Sequence, residues 1–351
     1  MLDSEEVSHG AHDDQLSLFD EGPEGQVVKP TESSTIDNDK VGAEHPDRNE
    51  LESLKAVLEA SGDYKVLRRS GTSGRLTPPD PMPTSGVRRG LYLDVETTGL
   101  DVGDPIIELG AVLFEYHETG RVLRVLEEFD EFEDPGRPLP PGIVQLTGIT
   151  DPMVAGRRID DSKVARLATG ADLVIAHNAG FDRRIVEKRF PLFRALPWAC
   201  SVVDVDWQRA GMRTRKLEYL AMTRGFFFDS HRAINDCIAG VELLADALIA
   251  DDDETALASL LANSGRESVR LWAENSPFET KGLLKERRYR WNAASKLWWR
   301  DLAGDEHDAE LQWLESSVYQ RMRPLPYYRF DAASRYSSRI PMGPPKDATR
   351  R

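Results

Sequence analysis

Apolar positions along this chain arrive first in short runs and later at helical spacing, and that change of rhythm outlines one large α/β domain over residues 88–250. Leu91 to Val95 is a short apolar run that ends on an acidic pair, and Ile106 to Tyr116 and Val122 to Phe129 add two strands turned at Glu118-Thr119-Gly120. Helical pattern over Ser162–Ala168 leads to a strand at Leu173–Ala176 and a helix from Ala179 to Arg189. Trp198 to Val205 reads as another strand, and Lys216–Arg224 and Arg232–Leu248 as helices. Strands in hairpins followed by strands alternating with helices predict a mixed sheet covered by helices.

Outside that domain the pattern thins. In 47–87, Leu51, Leu54, Val57 and Leu58 predict a helix over 49–61 stopped at Gly62, Tyr64 to Leu67 a short strand, and Pro78 to Gly86 a linker. Residues 266–320 predict a small α+β module: a strand at Val269–Ala273, a helix capped at Ser276-Pro277-Phe278-Glu279, a hairpin of Tyr289–Trp291 with Leu297–Arg300, and a helix over Asp308–Tyr319. Residues 323–351, rich in Pro, Ser and Arg, read as a basic disordered tail. Residues 1–46 read as an acidic disordered one, because Asp and Glu far outnumber Lys29 and Lys40 and Phe19 is the only aromatic.

Composition narrows the class. The 351 residues are 40% hydrophobic and 30% charged, as suits a soluble globular chain with polar tails. No run of 18 apolar residues predicts a membrane span, and the acidic Met1-Leu2-Asp3-Ser4-Glu5-Glu6 start is no signal peptide. Cys200 and Cys237 lie outside any CxxC, which argues against a disulfide framework or thiolate zinc site and fits a cytoplasmic protein. The net charge of -15 is uneven, acidic at the head and basic at the end.

The candidate chemistry is carboxylate chemistry. Asp94 and Glu96 are two apart on a strand and share one face. Asp182 opens a helix near Asn178, and Asp236 lies on the first turns of another, with His231 on the loop at its mouth, a post suited to a general base. Singly, each is most often a solvated loop charge or helix-face residue. Jointly and in this order, carboxylates beside an apolar strand call for a cation, and a divalent pair is the most economical one.

Asp94-Val95-Glu96-Thr97-Thr98-Gly99-Leu100, His177-Asn178-Ala179-Gly180-Phe181-Asp182 and His231-Arg232-Ala233-Ile234-Asn235-Asp236 resemble the three motifs of the DEDDh, or DnaQ-like, 3′-5′ exonucleases, the family of the bacterial proofreading subunit. Leu146-Thr147-Gly148-Ile149-Thr150, Lys216-Leu217 and Leu220 fit it too. The resemblance covers about residues 88–250 and implies a ribonuclease H-like mixed five-stranded sheet flanked by helices. It implies two Mg²⁺ or Mn²⁺ ions: Asp94 would bridge both, Glu96 and Asp236 would hold the ion carrying the attacking water, Asp182 would serve the second, and His231 would take the proton. Thr97, Thr98, Gly99, Leu100, His177 and Asn178 would cradle the terminal nucleotide.

Gln15-Leu16-Ser17-Leu18-Phe19 resembles the pentapeptide with which bacterial polymerases and repair proteins bind the DNA sliding clamp. The module at 266–320 interleaves Arg270, Lys281, Lys285, Arg287, Arg288, Arg290, Lys296 and Arg300 with Trp272, Phe278, Tyr289, Trp291, Trp298 and Trp299, a pattern that a small core accounts for first and that is compatible with gripping a single strand if the aromatics lie inside and the arginines outside. The expected function is a metal-dependent 3′-5′ DNA exonuclease releasing 5′-mononucleotides, working with the clamp and a polymerase in proofreading or repair, with no membrane partner. An RNA-trimming exonuclease of the same superfamily and a non-catalytic clamp- or DNA-binding adaptor are the alternatives.

Overall fold

A computed structural model of the chain describes residues 47–71, 81–250 and 252–350. The pentapeptide Gln15–Phe19 lies outside the described residues.

Residues up to Arg68 form a unit of their own. Its helix α1 (Arg48–Ala60) opens on a reciprocal capping box: Glu50 N–H donates to Asp47 and Asp47 N–H to the Glu50 carboxylate, both at 2.9 Å. Tyr64 to Leu67, expected as a strand, has no strand pairing in the structure.

From Arg69 onward the chain builds two five-stranded sheets. The first has the order β3-β2-β1-β4-β5, with β1 Val87–Thr97, β2 Ile106–His117, β3 Val122–Phe132, β4 Leu173–Ala176 and β5 Trp198–Cys200. β1, β2 and β3 pair antiparallel, whereas β4 runs parallel to β1 and β5 parallel to β4. This is the ribonuclease H-like mixed sheet that the sequence predicts. Strand β2 is buried along almost its whole length because helices cover both faces of the sheet, so it reads as a continuous apolar run rather than an alternating one.

Helices α2 (Pro141–Thr147), α3 (Asp161–Thr169), α4 (Ala179–Arg189), α5 (Leu217–Thr223), α6 (Ala233–Ala245) and α7 (Ala256–Ser264) flank the sheet. Two glycines permit the closest approaches. A Cβ on Gly110 of β2 would lie 2.3 Å from the Ala233 backbone, and one on Gly240 of α6 would lie 2.1 Å from the Tyr92 ring. Helix α6 therefore lies directly against β1 and β2.

Three expectations fail inside this domain. The strand expected over Trp198–Val205 ends at Cys200, because the Asp204 carboxylate accepts the Cys200 N–H at 2.8 Å and Trp207 Nε1 donates to the Ser201 carbonyl at 2.6 Å, folding the chain into turns. Helix α6 stops at Ala245, three residues before Leu248. The apolar core does not stop at 250 either, since Ala256, Leu257 and Leu260 of α7 belong to it.

The second sheet has the order β10-β9-β6-β8-β7, with β6 Ser268–Ala273, β7 Arg290–Asn292, β8 Leu297–Ala303, β9 Pro326–Phe330 and β10 Thr349–Arg350. Its core takes Leu284 from α8 (Lys281–Glu286) and Leu311 from α9 (His307–Trp313). Ser276 makes no cap; a 3-10 turn at Phe278–Thr280 precedes α8 instead, with Pro277 at its N-cap. The largest correction concerns residues 323–351, expected to be disordered. Pro326 to Phe330 pairs with β6, Phe330 is buried, and Arg335 sinks to 9% exposure. Charge and proline content suggested solvent there, but a sheet edge and buried acceptors take up those residues.

Candidate functional site

Asp94 and Glu96 project from the end of β1, and Asp236 from the first turn of α6. Ligand oxygens of the three lie within 4.8 Å of one another. Two separate local rules place them together. Alternation along a strand puts residues two apart on one face, and the absence of a side chain at Gly110 lets the helix start settle on β2. Asp182, on the first turn of α4, is 2% exposed and within electrostatic reach of Asp94 and Asp236, but does not join the set of three.

Four carboxylates this close repel. Burial first, and then Glu108, push Asp94 up to about 7. Burial, then Asp94 and Asp236, push Glu96 up to about 10. Asp182 and Asp236 are likewise held well above the ordinary carboxylate range, by burial and then by Asp94. Partly ionised, the set is a strained anionic pocket of hard oxygen donors, which is the ligand chemistry that Mg²⁺ and Mn²⁺ select.

His231 sits at the mouth of α6 with a left-handed φ of 62°, half-buried, its Nε2 3.8 Å from Glu218 Oε1. His231 lies on the loop that precedes α6 and not on the helix itself.

The remaining residues of the expected nucleotide cradle divide. Thr97 donates its hydroxyl to the Gly99 carbonyl, and Thr98 accepts Arg137 Nη2 at 2.8 Å, so both hydroxyls are spent on shaping the loop. A Cβ on Gly99 would lie 2.5 Å from the Asp104 carboxylate, which would have to shift to admit it. Leu100 is half-buried beside them. Asn178 caps α4 with φ 76° and makes no side-chain cap bond.

His177 is more constrained than the sequence suggests. Its Nε2 lies 2.8 Å from the Arg215 carbonyl and its Nδ1 2.8 Å from Ser201 Oγ. A carbonyl only accepts, so Nε2 carries the proton, Nδ1 accepts from Ser201, and the Tyr92 hydroxyl donates to Ser201 Oγ at 3.0 Å. Burial lowers the His177 pKa to about 4, in keeping with this neutral tautomer. Both ring nitrogens are occupied, and His177 joins β1, β4 and the Arg215 loop behind the site.

Sequence reasoning missed Glu108 and Arg232. Glu108 is fully buried in β2, directly across from Glu96. Its Oε1 accepts Arg232 Nε at 2.9 Å and Nη2 at 2.7 Å, and its Oε2 accepts the Ala233 N–H, the first of α6, at 2.8 Å. The signal was present: one carboxylate in the apolar run Ile106-Ile107-Glu108-Leu109, which no strand keeps buried without a partner.

Against known proteins, residues 91–244 match the family model RNase_T, described as Exonuclease. DNA polymerase III PolC-type of Listeria monocytogenes is 41% identical over 100 residues, which are 28% of this chain and 6% of that protein. The Bacillus subtilis protein of the same name is 45% identical over 95 residues, 26% of this chain and 6% of its own length. The match thus spans only a small fraction of these relatives. Among solved structures, an exonuclease X bound to 5′-overhanging duplex DNA is 24% identical, with TM-score 0.35, covering 48% of this chain and 99% of that one. E. coli exonuclease I bound to an oligonucleotide is 16% identical, with TM-score 0.39, covering 52% and 47%.

Proposed function

We propose, from the premise that residues 91–244 are a domain of the exonuclease family RNase_T, that this chain hydrolyses DNA from the 3′ end to 5′-mononucleotides. The observation that carries the proposal is the convergence of Asp94, Glu96 and Asp236 within 4.8 Å, with Asp182 buried beside them. The donor set fits divalent metal: it is all hard oxygen, crowded, and its ionisation is suppressed until a cation arrives. Asp94, Glu96 and Asp236 would hold one ion and Asp94 with Asp182 would serve a second. Bound there, the ions supply charge neutralisation at the scissile phosphate and a more acidic attacking water.

The chain's own groups supply the rest. His231, on the loop at the helix mouth, takes a proton at its ring nitrogen, and Glu218 at 3.8 Å steadies the imidazolium that forms. The Thr97–Leu100 loop, which follows Glu96 at the end of β1, would lie against the terminal nucleotide. The decisive test is polarity: with Mg²⁺, a 5′-labelled single strand should shorten in one-nucleotide steps, whereas a 3′-labelled strand should release labelled mononucleotide at once. EDTA should stop both, and matched RNA should be cut more slowly than DNA. Release of 5′-terminal nucleotides first would overturn the reading.

Association with a bacterial sliding clamp, and through it with a polymerase, belongs to the same proposal and rests on Gln15–Phe19. Leu18 and Phe19 would each contribute roughly 1.5–3 kcal/mol when enclosed, and ordering the segment offsets much of that, so micromolar binding is expected. In a pull-down or anisotropy assay, changing Leu18 and Phe19 together to Ala should abolish clamp binding and leave hydrolysis of short oligonucleotides unchanged. Clamp binding that survives the double change would mark the pentapeptide as coincidence.

A further inference from the structure

Helix α4 carries Asp182 on its first turn, and that turn begins without a side-chain cap, since Asn178 makes no cap bond. A helix start left so frays more easily. The residue after Asp182 supplies an anchor instead. Arg183 is fully buried. Its Nε donates to Glu187 Oε1 at 2.7 Å, one turn along the helix. Its Nη1 donates to the carbonyls of Ala332 at 3.3 Å and Arg335 at 2.6 Å, and its Nη2 to the Ala333 carbonyl at 2.8 Å. An Arg and a Glu four apart on a helix are ordinarily a solvated pair. Here residues 331–339 cover both.

That segment follows β9 directly and is fastened to the exonuclease domain at three further places. The Ala332 carbonyl also accepts the Trp198 N–H at 3.1 Å, on the free side of β5, so the segment covers the open edge of the first sheet. Arg335 Nη2 donates to Asp204 Oδ1 at 2.6 Å, and Asp204 Oδ2 accepts the Tyr336 hydroxyl at 3.1 Å and the Cys200 N–H at 2.8 Å. Ser337 donates to Glu187 Oε2 at 2.7 Å. Arg339 closes the outside, its Nη2 lying 2.9 Å from the Ala333 carbonyl and 3.0 Å from that of Arg194. Beyond it the chain returns to the second sheet, where the Pro341 carbonyl accepts Arg270 Nη1 at 3.2 Å.

A metal ligand tolerates little play, because metal–oxygen distances are held to about 0.2 Å. Asp182 and Arg183 share one planar peptide unit and move together. A planar guanidinium fork bonded on several sides fixes direction as well as place, which a single ammonium cannot do. The family match ends at residue 244, so this support for Asp182 comes from outside it.

We infer that residues 331–339 are a positioning strap for the acidic centre: through Arg183 they hold the first turn of α4 on the edge of the sheet and so set Asp182 for the second metal ion. Arg183 is thus a positioning residue, and the strap is part of the working exonuclease although it belongs in sequence to the module that follows. The inference rests on the exonuclease reading for the two ions.

The test is a titration of the full chain with Mn²⁺ alone, free ion being read by electron paramagnetic resonance well below the melting temperature of each variant. The wild type should bind two ions, and Asp182→Asn should weaken one of them, which identifies it. Arg183→Lys keeps the charge beside Glu187 but loses the fork, and it should weaken that same ion about tenfold, the usual cost of removing a support behind a ligand. The other ion, held by Asp94, Glu96 and Asp236, should bind as in the wild type. Arg339→Ala is the milder variant, since that side chain is 46% exposed and its loss spares the fold. It should weaken the same ion by a smaller factor, and Arg339→Lys should restore part of the loss. An unchanged second ion in a folded Arg183→Lys protein would overturn the strap, as would equal weakening of both ions, which marks general loosening. Should Arg183→Lys not fold, an unchanged second ion in Arg339→Ala overturns it. A wild type that binds fewer than two ions would overturn the two-ion reading and the strap with it. Strap-dependent binding of two ions in a protein that does not cut DNA would overturn the exonuclease reading alone.

Discussion

Replacing Asp94 by Asn should abolish hydrolysis and at the same time stabilise the metal-free protein. The first effect follows from its place at the centre of the set: its carboxylate is the one that Glu96, Asp182 and Asp236 all feel. Loss of an anionic group that would hold the metal would remove several kcal/mol of charge stabilisation, so the rate should fall by at least about a hundredfold. The second effect follows from the sign of the shifts. Asp94 titrates at about 7 instead of its ordinary 3.8, and Glu96 at about 10 instead of 4.5. Between those limits the folded chain holds more protons than the unfolded one, so the stability of the metal-free protein falls as pH rises from about 4 through 7 and beyond. An uncharged Asn removes one source of that decline and eases the other. In EDTA at pH 8 the variant should melt a few degrees above the wild type, about 1 kcal/mol corresponding to roughly 2–4 °C in a domain of this size. With Mg²⁺ present the order should narrow or reverse, because the wild type gains a ligand that the variant binds poorly. Thermal melts at pH 5, 7 and 9 with and without metal check both halves. A wild-type rate for Asp94→Asn would sink the active-site assignment, and equal melting in EDTA would sink the account of repulsion.

That opposition of activity and stability also explains what was legible in the sequence. Asp94, Glu96, Asp182, Asp236 and His231 stand out because each sits on a short, regular element whose period is easily read, and because an uncompensated carboxylate beside an apolar strand is out of place. The five strands of the first sheet and helix α4 follow from the same local rules. Glu108 escaped for the opposite reason. It is compensated, and its partner Arg232 is 124 residues away in sequence, so no local pattern pairs them. The hydrogen bonds of His177 are not legible locally either, because they are decided by Ser201 and Arg215 from two other segments. The segment after Arg323 misled through composition: arginine and proline suggest solvent, whereas Arg335 is buried against Asp204 and Pro326 begins a strand. In each miss a long-range partner overrode a local preference.

Glu108→Ala should be the most destabilising single change near the site, and it tests whether Asp236 depends on a buried support. Truncation leaves the Arg232 guanidinium and the first N–H of α6 without their shared acceptor. Breaking a fully buried pair costs about 3–5 kcal/mol, but Arg232 is 31% exposed and lies 3.9 Å from Asp130, which can take over in part. About 2–3 kcal/mol is therefore the expected loss, the range of a hydrogen bond to a charged group plus an orphaned amide. One effect works the other way: Glu108 adds to the repulsion on Asp94 and Glu96, and its removal relieves some of it. That relief is small because Arg232 already neutralises Glu108 at 2.7 Å. The helix start should then shift on β2, and Asp236 with it, so that the Mg²⁺ concentration for half-maximal rate rises about tenfold, the equivalent of about 1.4 kcal/mol. Glu108→Gln keeps one acceptor for the Ala233 N–H and should fall between the two proteins in both melting and metal requirement. Measured well below the melting temperature of each variant, an unchanged Mg²⁺ requirement in Glu108→Ala would show that Asp236 is held by the rest of α6 and not by this carboxylate.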